Sequence, residues 1–242
     1  MPAPPPKILE PGCVVVGYAR VDASSECRTQ ENLTVLSVQE RERYARRRGR
    51  AGAEFLGAYA LLRRTLSRYS ATDPSAWRFA PDGMGKPEIV GPGRNEQFRF
   101  NLSHTQGLVA CVVSREWPVG IDVESSERSR GYEALAERVL SPSEHKDLKA
   151  LPPSQWKARF LEYWTLKEAH LKARGTGIRS RLDALEFRLL GESGALCRLE
   201  SPEHSVESSW HHLRLRPTQA HYLAVAVAGG GSPRWEIVET DG

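Results

Sequence analysis

Twice in this chain a serine and a glutamate stand three residues apart at the head of a helical stretch: Ser37-Val-Gln-Glu40 and Ser141-Pro-Ser-Glu144. In this pattern the serine side chain accepts from the amide three residues on, while the glutamate reaches back to the serine's own amide. Each pair therefore marks a helix start. Pro142 strengthens the second, because the first helical position has no intrahelical use for an N–H. Short β-branched runs precede both pairs, residues 12–21 and Val119-Gly-Ile-Asp-Val-Glu124, and read as strands. After the first pair the periodicity predicts a helix to about residue 48 and another over 51–69, where Phe55, Leu56, Tyr59, Leu62 and Leu66 recur at spacings of three and four. After the second pair a long amphipathic helix is expected over 154–173, stopped by Gly175 and Gly177. Strand-like runs follow in each half, at 98–101 and 108–113, then at 185–190, 210–215 and 222–227. This parallel layout predicts an α+β fold of two similar lobes, although no residue-level repeat is visible. The expected division is a flexible N-terminus (1–11), one lobe at 12–117, a second at 118–230, and a tail at 231–242.

The 242 residues contain no apolar run near the roughly 20 residues a membrane helix needs, so no membrane association is expected. The first residues lack a basic start and an apolar stretch, and a cytoplasmic protein is expected. Cys13, Cys27, Cys111 and Cys197 are scattered, with no CxxC pair, which argues against a disulfide framework and a zinc site. The net charge of +4 has one source. Residues 40–50 carry Arg41, Arg43, Arg46, Arg47, Arg48 and Arg50 against Glu40 and Glu42, a surplus equal to that of the whole chain. Such a cluster suits a local anion site, and a solvated helix face would look the same.

On a strand, residues two apart share a side, so Asp122 and Glu124 project together while Ile121 and Val123 face a core. Paired carboxylates on a rigid element repel unless a cation intervenes, and hard oxygen ligands favour Mg²⁺. A solvated edge strand would carry the same D-x-E. The helix containing Trp164-Thr-Leu-Lys-Glu-Ala-His-Leu-Lys172 adds weight. Phe160, Tyr163, Trp164 and Leu171 form an apolar stripe there; Lys167 falls inside it, and Glu168 and Lys172 lie along its rim. Charges in such places need partners. Phe100-Asn-Leu-Ser-His104 is expected to leave a strand at Ser103 and His104, offering hydroxyl, imidazole and backbone amides to phosphate oxygens. Gly85-Lys-Pro87 places the cation of Lys86 on a rigid turn.

In this order, Gly85-Lys-Pro87, Phe100-Asn-Leu-Ser-His104, Val119-Gly-Ile-Asp-Val-Glu124 and Trp164-Thr-Leu-Lys-Glu-Ala-His-Leu-Lys172 resemble the surfactin-synthetase type of 4'-phosphopantetheinyl transferase, over roughly residues 37–230. The resemblance implies a monomeric enzyme whose two lobes sit in pseudo-twofold arrangement with coenzyme A in the cleft between them. It would move the phosphopantetheine arm of coenzyme A to a serine of an acyl, peptidyl or aryl carrier protein, releasing 3',5'-ADP. Asp122, Glu124 and Glu168 would hold Mg²⁺, or Mn²⁺ in its place. Lys172 would meet the diphosphate and aid the leaving group, and Glu168 or a metal-bound water would take the serine's proton. Arg43, Lys86, Ser103 and His104 would hold coenzyme A phosphates, and Lys167 would support the site.

One departure stands out. Relatives often carry basic residues in the first lobe's helices, whereas Glu40 and Glu54 occupy such positions here, leaving Arg43, with Arg48 or Arg50 as the substitute for the missing contact, for the 3'-phosphate. Residues 135–151 offer apolar side chains to a carrier helix. Three other readings fit parts of the pattern: a catalytically silent coenzyme A- or carrier-binding module, a nucleic-acid binder using the arginines, and a metal-dependent phosphohydrolase. No reader motif accompanies the arginines, so no nucleic-acid partner is expected. The W-x-x-K-E-A run is foreign to the phosphohydrolase reading.

Overall fold

The computed structural model describes residues 6–21, 26–83, 85–127, 131–175, 181–191, 198–200 and 210–240. Gly177 and Cys197 lie outside them, as does the side chain of Cys27; Cys13 and Cys111 are free thiols. The chain forms two units, one of residues 1–117 with 233–242, the other of 118–232.

In the first unit, β1 (Cys13–Arg20), β4 (Arg99–Thr105) and β5 (Leu108–Ser114) join β11 (Arg234–Thr240) in a sheet of order β11-β1-β5-β4. The β1–β11 pair is parallel and the others antiparallel. Helix α3 (Gly49–Ser67) covers this sheet, and α1 (Glu26–Val35) and α2 (Val38–Ala45) pack on α3. A hairpin of β2 (Phe79–Pro81) and β3 (Pro87–Ile89) completes the unit. The core gathers β-branched residues of β1 and β5 with Leu61, Leu62, Leu66 and the buried Trp77. The segment expected to be a tail therefore differs: residues 234–240 form an edge strand. Pairing between positions more than two hundred residues apart leaves no local signal.

In the second unit, β6 (Val119–Ser125), β10 (His221–Ala228) and β9 (Trp210–Thr218) form an antiparallel sheet of order β6-β10-β9. Helix α6 (Pro153–Arg174) lies on it, flanked by α4 (Tyr132–Val139) and α5 (Pro142–Lys149), with a short β7 (Glu186–Arg188) and β8 (Arg198–Glu200) pair. Each unit thus runs strand, capped helix, long helix, hairpin, and pairs the hairpin's second strand with the first strand. Helix α6 forms where the amphipathic helix was expected, but its burial is not confined to one stripe. From Phe160 to Leu171 it is buried on nearly every side, so polar residues there face protein.

Both capping boxes form, at Ser37/Glu40 and Ser141/Glu144. Each capping glutamate also holds a buried cation from its unit's long helix. Glu40 pairs with Arg63 at 2.6 Å, and Arg63 further donates to the carbonyls of Pro74 and Trp77. Glu144 pairs with Lys167 at 2.7 Å, and Lys167 further donates to the carbonyls of Leu182 and Leu185. In both units the cation follows its glutamate by the same interval, 40 to 63 and 144 to 167. A residue-level repeat does exist, hidden in the sequence because arginine replaces lysine. Burial pushes the Lys167 ammonium down and the Glu144 carboxyl up, each opposed by the other's charge. Glu144 also accepts from the amides of Ser141 and Phe187, so three donors face the carboxylate and the charged pair is the favoured state.

Candidate active site

Gly120 decides how β6 and α6 meet. A Cβ there would lie 2.1 Å from the Ala169 carbonyl oxygen and 2.4 Å from the Ala173 nitrogen, so strand and helix backbones touch. Alternation along β6 turns Asp122 and Glu124 to the same side as Gly120, toward the helix. Lys172 Nζ donates to Asp122 Oδ1 at 2.6 Å and to the Ile121 carbonyl at 3.1 Å. About two helical turns nearer the start of α6, Trp164 Nε1 donates to Glu124 Oε1 at 3.3 Å. The sequence placed Trp164 in an apolar stripe and at the head of the W-x-x-K-E-A run without giving it a role; its spacing of four from Glu168 was the available signal for this contact.

Glu168 stands between these contacts. Burial, then the neighbouring charges of Asp122 and Glu124, push its carboxyl up to about 7, against the opposing pull of Lys172. Its Oε1 is buried without a hydrogen-bond partner among the described residues. The predicted group Asp122, Glu124, Glu168 and Lys172 is thus brought to one face of β6 and α6. Among the described residues no three acidic, imidazole or thiol side chains form a ready-made metal cage. The donor set is nevertheless all hard carboxylate oxygen, crowded enough for a cation to relieve it. Lys167 is a correction. It is fully buried, with its ammonium directed at Glu144, Leu182 and Leu185, and offers nothing to a ligand.

The first unit holds the other candidates. Arg43 lines a pocket with Glu40, Tyr59, Phe79, Pro81 and the flanks of the Gly85–Pro87 turn. The Lys86 amide donates to Asp82 Oδ1 at 2.8 Å, which fixes the turn. Burial pushes the Lys86 ammonium down, and Asp82 opposes it. The glutamate at position 40, expected to weaken an anion grip, has its carboxylate committed to Ser37 and Arg63. Ser103 and His104 also differ from expectation. They do not follow the strand but lie within β4, opposite Ala110 and Val109. Ser103 is buried, whereas His104 is exposed and approaches Glu54 Oε2 through Nδ1 at 3.2 Å.

The second unit thus sets a strand-borne acid pair against a glutamate and a lysine one turn apart on α6. A profile of the 4'-phosphopantetheinyl transferase superfamily matches residues 118–227, the stretch that carries this centre. The chain is 36% identical to the 4'-phosphopantetheinyl transferase HetI of a Nostoc species, over 73% of this chain and 71% of HetI. It is 34% identical to the 4'-phosphopantetheinyl transferase psf-1 of Bacillus pumilus, over 68% of this chain and 66% of that protein. With the 4'-phosphopantetheinyl transferase Sfp of Bacillus subtilis it shares 33% identity over 53% of this chain and 55% of Sfp. The chain belongs to the 4'-phosphopantetheinyl transferase superfamily. Its match spans somewhat over half to about seven tenths of the length of these three relatives.

Proposed function

We propose that this protein transfers the 4'-phosphopantetheine group of coenzyme A to a serine hydroxyl of an acyl or peptidyl carrier protein, with 3',5'-ADP as the leaving group. The observation that carries this reading is Glu168. It is a buried carboxyl set between Asp122, Glu124 and Lys172 on elements that meet backbone to backbone at Gly120. A serine hydroxyl is a weak nucleophile and needs a base whose own proton affinity lies near the working pH. Glu168, the carboxylate of α6 one turn from Lys172, is the base placed to accept the serine proton as the oxygen attacks the β-phosphorus; its rise to about 7 belongs to the metal-free site, and a bound cation would lower it. Negative charge then grows on the bridging oxygen of the diphosphate. The Lys172 ammonium, held by Asp122 and the Ile121 carbonyl, is the cation available to stabilise it.

Asp122, Glu124 and Glu168 would hold Mg²⁺, which would neutralise the diphosphate and draw charge from the leaving group. The buried Glu168 Oε1, without a hydrogen-bond partner among the described residues, and the crowding of like charges support that fit. Arg43, Lys86 and His104 are assigned to the phosphates of coenzyme A, Arg43 because it shares a pocket with the turn that carries Lys86. The test incubates the protein with coenzyme A, Mg²⁺ and several apo carrier proteins and weighs the carriers. The expected result is a gain of one phosphopantetheine on a serine. A complete absence of that gain across the panel overturns the reading.

A further inference from the structure

Glu54 is buried in the first unit, and among the described residues its hydrogen-bond partner is His104. Carboxylates are rarely buried unless a donor meets them. The position follows from the helix. Glu54, Ala58, Leu61 and Thr65 are buried at helical spacing, and Leu61 and Thr65 of this stripe lie against Gly17 of the sheet. Near its start, Gly57 approaches Val109 of β5, which pairs with His104 of β4. The helix therefore delivers a carboxylate under an imidazole on the neighbouring strand. The two side chains differ sharply in exposure, 6% for Glu54 and 50% for His104. Glu54 Oε2 engages Nδ1, while Oε1 is buried with no hydrogen-bond partner among the described residues.

We propose that Glu54 is a positioning residue for coenzyme A: it accepts from Nδ1 of His104 and so turns Nε2 outward as the ring nitrogen that faces a phosphate. An ionised carboxylate can only accept, so the imidazole must present N–H at Nδ1 to bond it. This sets the tautomer and the ring plane together, as a carboxylate behind a ligating histidine does in metal sites. The half-exposed ring then points Nε2 outward; as a lone pair that nitrogen cannot donate to a phosphate, so the contact is made by the ring with N–H on both nitrogens, one bonded to Glu54 and the other to the phosphate. A ring held only by its χ angles would sample both tautomers and both flips. Glu54 acts through His104 and touches no substrate itself. The inference rests on the transferase reading for the identity of the phosphate, but the tautomer does not.

The test uses the full chain labelled with ¹⁵N, whose imidazole correlations report which nitrogen of His104 is protonated. In the wild type Nδ1 carries the proton; in Glu54→Leu it moves largely to Nε2, and in Glu54→Gln, whose amide oxygen can still accept, much of the Nδ1–H form returns. KM for coenzyme A rises by about tenfold in Glu54→Leu with kcat within about twofold, a size typical of a residue behind a ligand. In a His104→Ala background Glu54→Leu adds nothing further to KM. An unchanged tautomer in Glu54→Leu, or an undiminished effect on KM without His104, overturns the proposal while leaving the transferase reading in place. A wild type that binds no coenzyme A overturns both, whatever the tautomer.

Discussion

Glu168 carries a pH signature that can be separated from catalysis. Its carboxyl titrates near 4.5 in an unfolded chain and about 7 in the fold. A raised value means that the folded state holds the proton more tightly. The associated stability is fully present below the unfolded value and is lost as pH rises through the folded one. At higher pH the folded state must carry a third carboxylate beside Asp122 and Glu124. Glu168→Gln removes that obligation at nearly constant volume. Urea unfolding of the metal-free proteins should give similar stabilities near about pH 5, with the variant ahead by up to about 3 kcal/mol near pH 8. A stability difference that stays flat with pH would mean that Glu168 is not held near neutrality. The same variant should lose transfer activity at every pH, because an amide accepts no proton from a serine.

At the scale of elements, the β6–α6 contact is the feature least forgiving of change. Gly120→Ala puts a methyl group against helix backbone, and a helix cannot yield as a side chain can. The expected cost is about 3 kcal/mol, with loss of activity as Glu168 and Lys172 move relative to Asp122. Gly17→Ala is the control on the equivalent strand of the first unit, where the new methyl would meet the Cys111 Sγ at 3.0 Å and the Thr65 Oγ1 at 3.2 Å. Those are side-chain atoms, and a smaller loss should follow. Equal melting temperatures for Gly120→Ala and wild type would disprove the backbone contact. The sequence showed the strand, the capped helices and the facing acid pair because alternation, capping and spacing are local. It did not show the role of Gly120, because the approach of a strand to a helix backbone distant in sequence leaves no local signal. Helix α1, ECRTQENLTV, has too few apolar residues to mark a buried stripe and was not legible. Lys167 misled for a different reason: the helical spacing sets it on another face from Glu168, but nothing local to it says that the buried partner on that face is Glu144.

The whole molecule is two units of one plan, each closed by a capping glutamate bonded to a cation buried in its long helix. Those staples are local to each unit, joining residues at intervals of 40 to 63 and 144 to 167. The sheet of the first unit is not local. Its chain leaves after residue 117, builds the second unit, and returns at 233 to add β11 beside β1. Val238 packs against the first unit's core, Lys7 pairs with Glu236 at 3.5 Å, and seven residues of β1 are in register with β11. Removing residues 233–242 should therefore weaken the unit that is distant in sequence and spare the unit that precedes the cut. The lost edge ladder is worth roughly 2 kcal/mol, since each net hydrogen bond is small and ordering a terminal strand costs entropy. Amide exchange measures this directly. Protection should fall in β1, whose outer edge becomes exposed, and hold in β6, β10 and α6. Faster exchange confined to β9 and β10 would contradict the return of the chain. Faster exchange throughout both units would show that they unfold as one, and that β11 supports the acidic centre through the first unit as well as the sheet it completes.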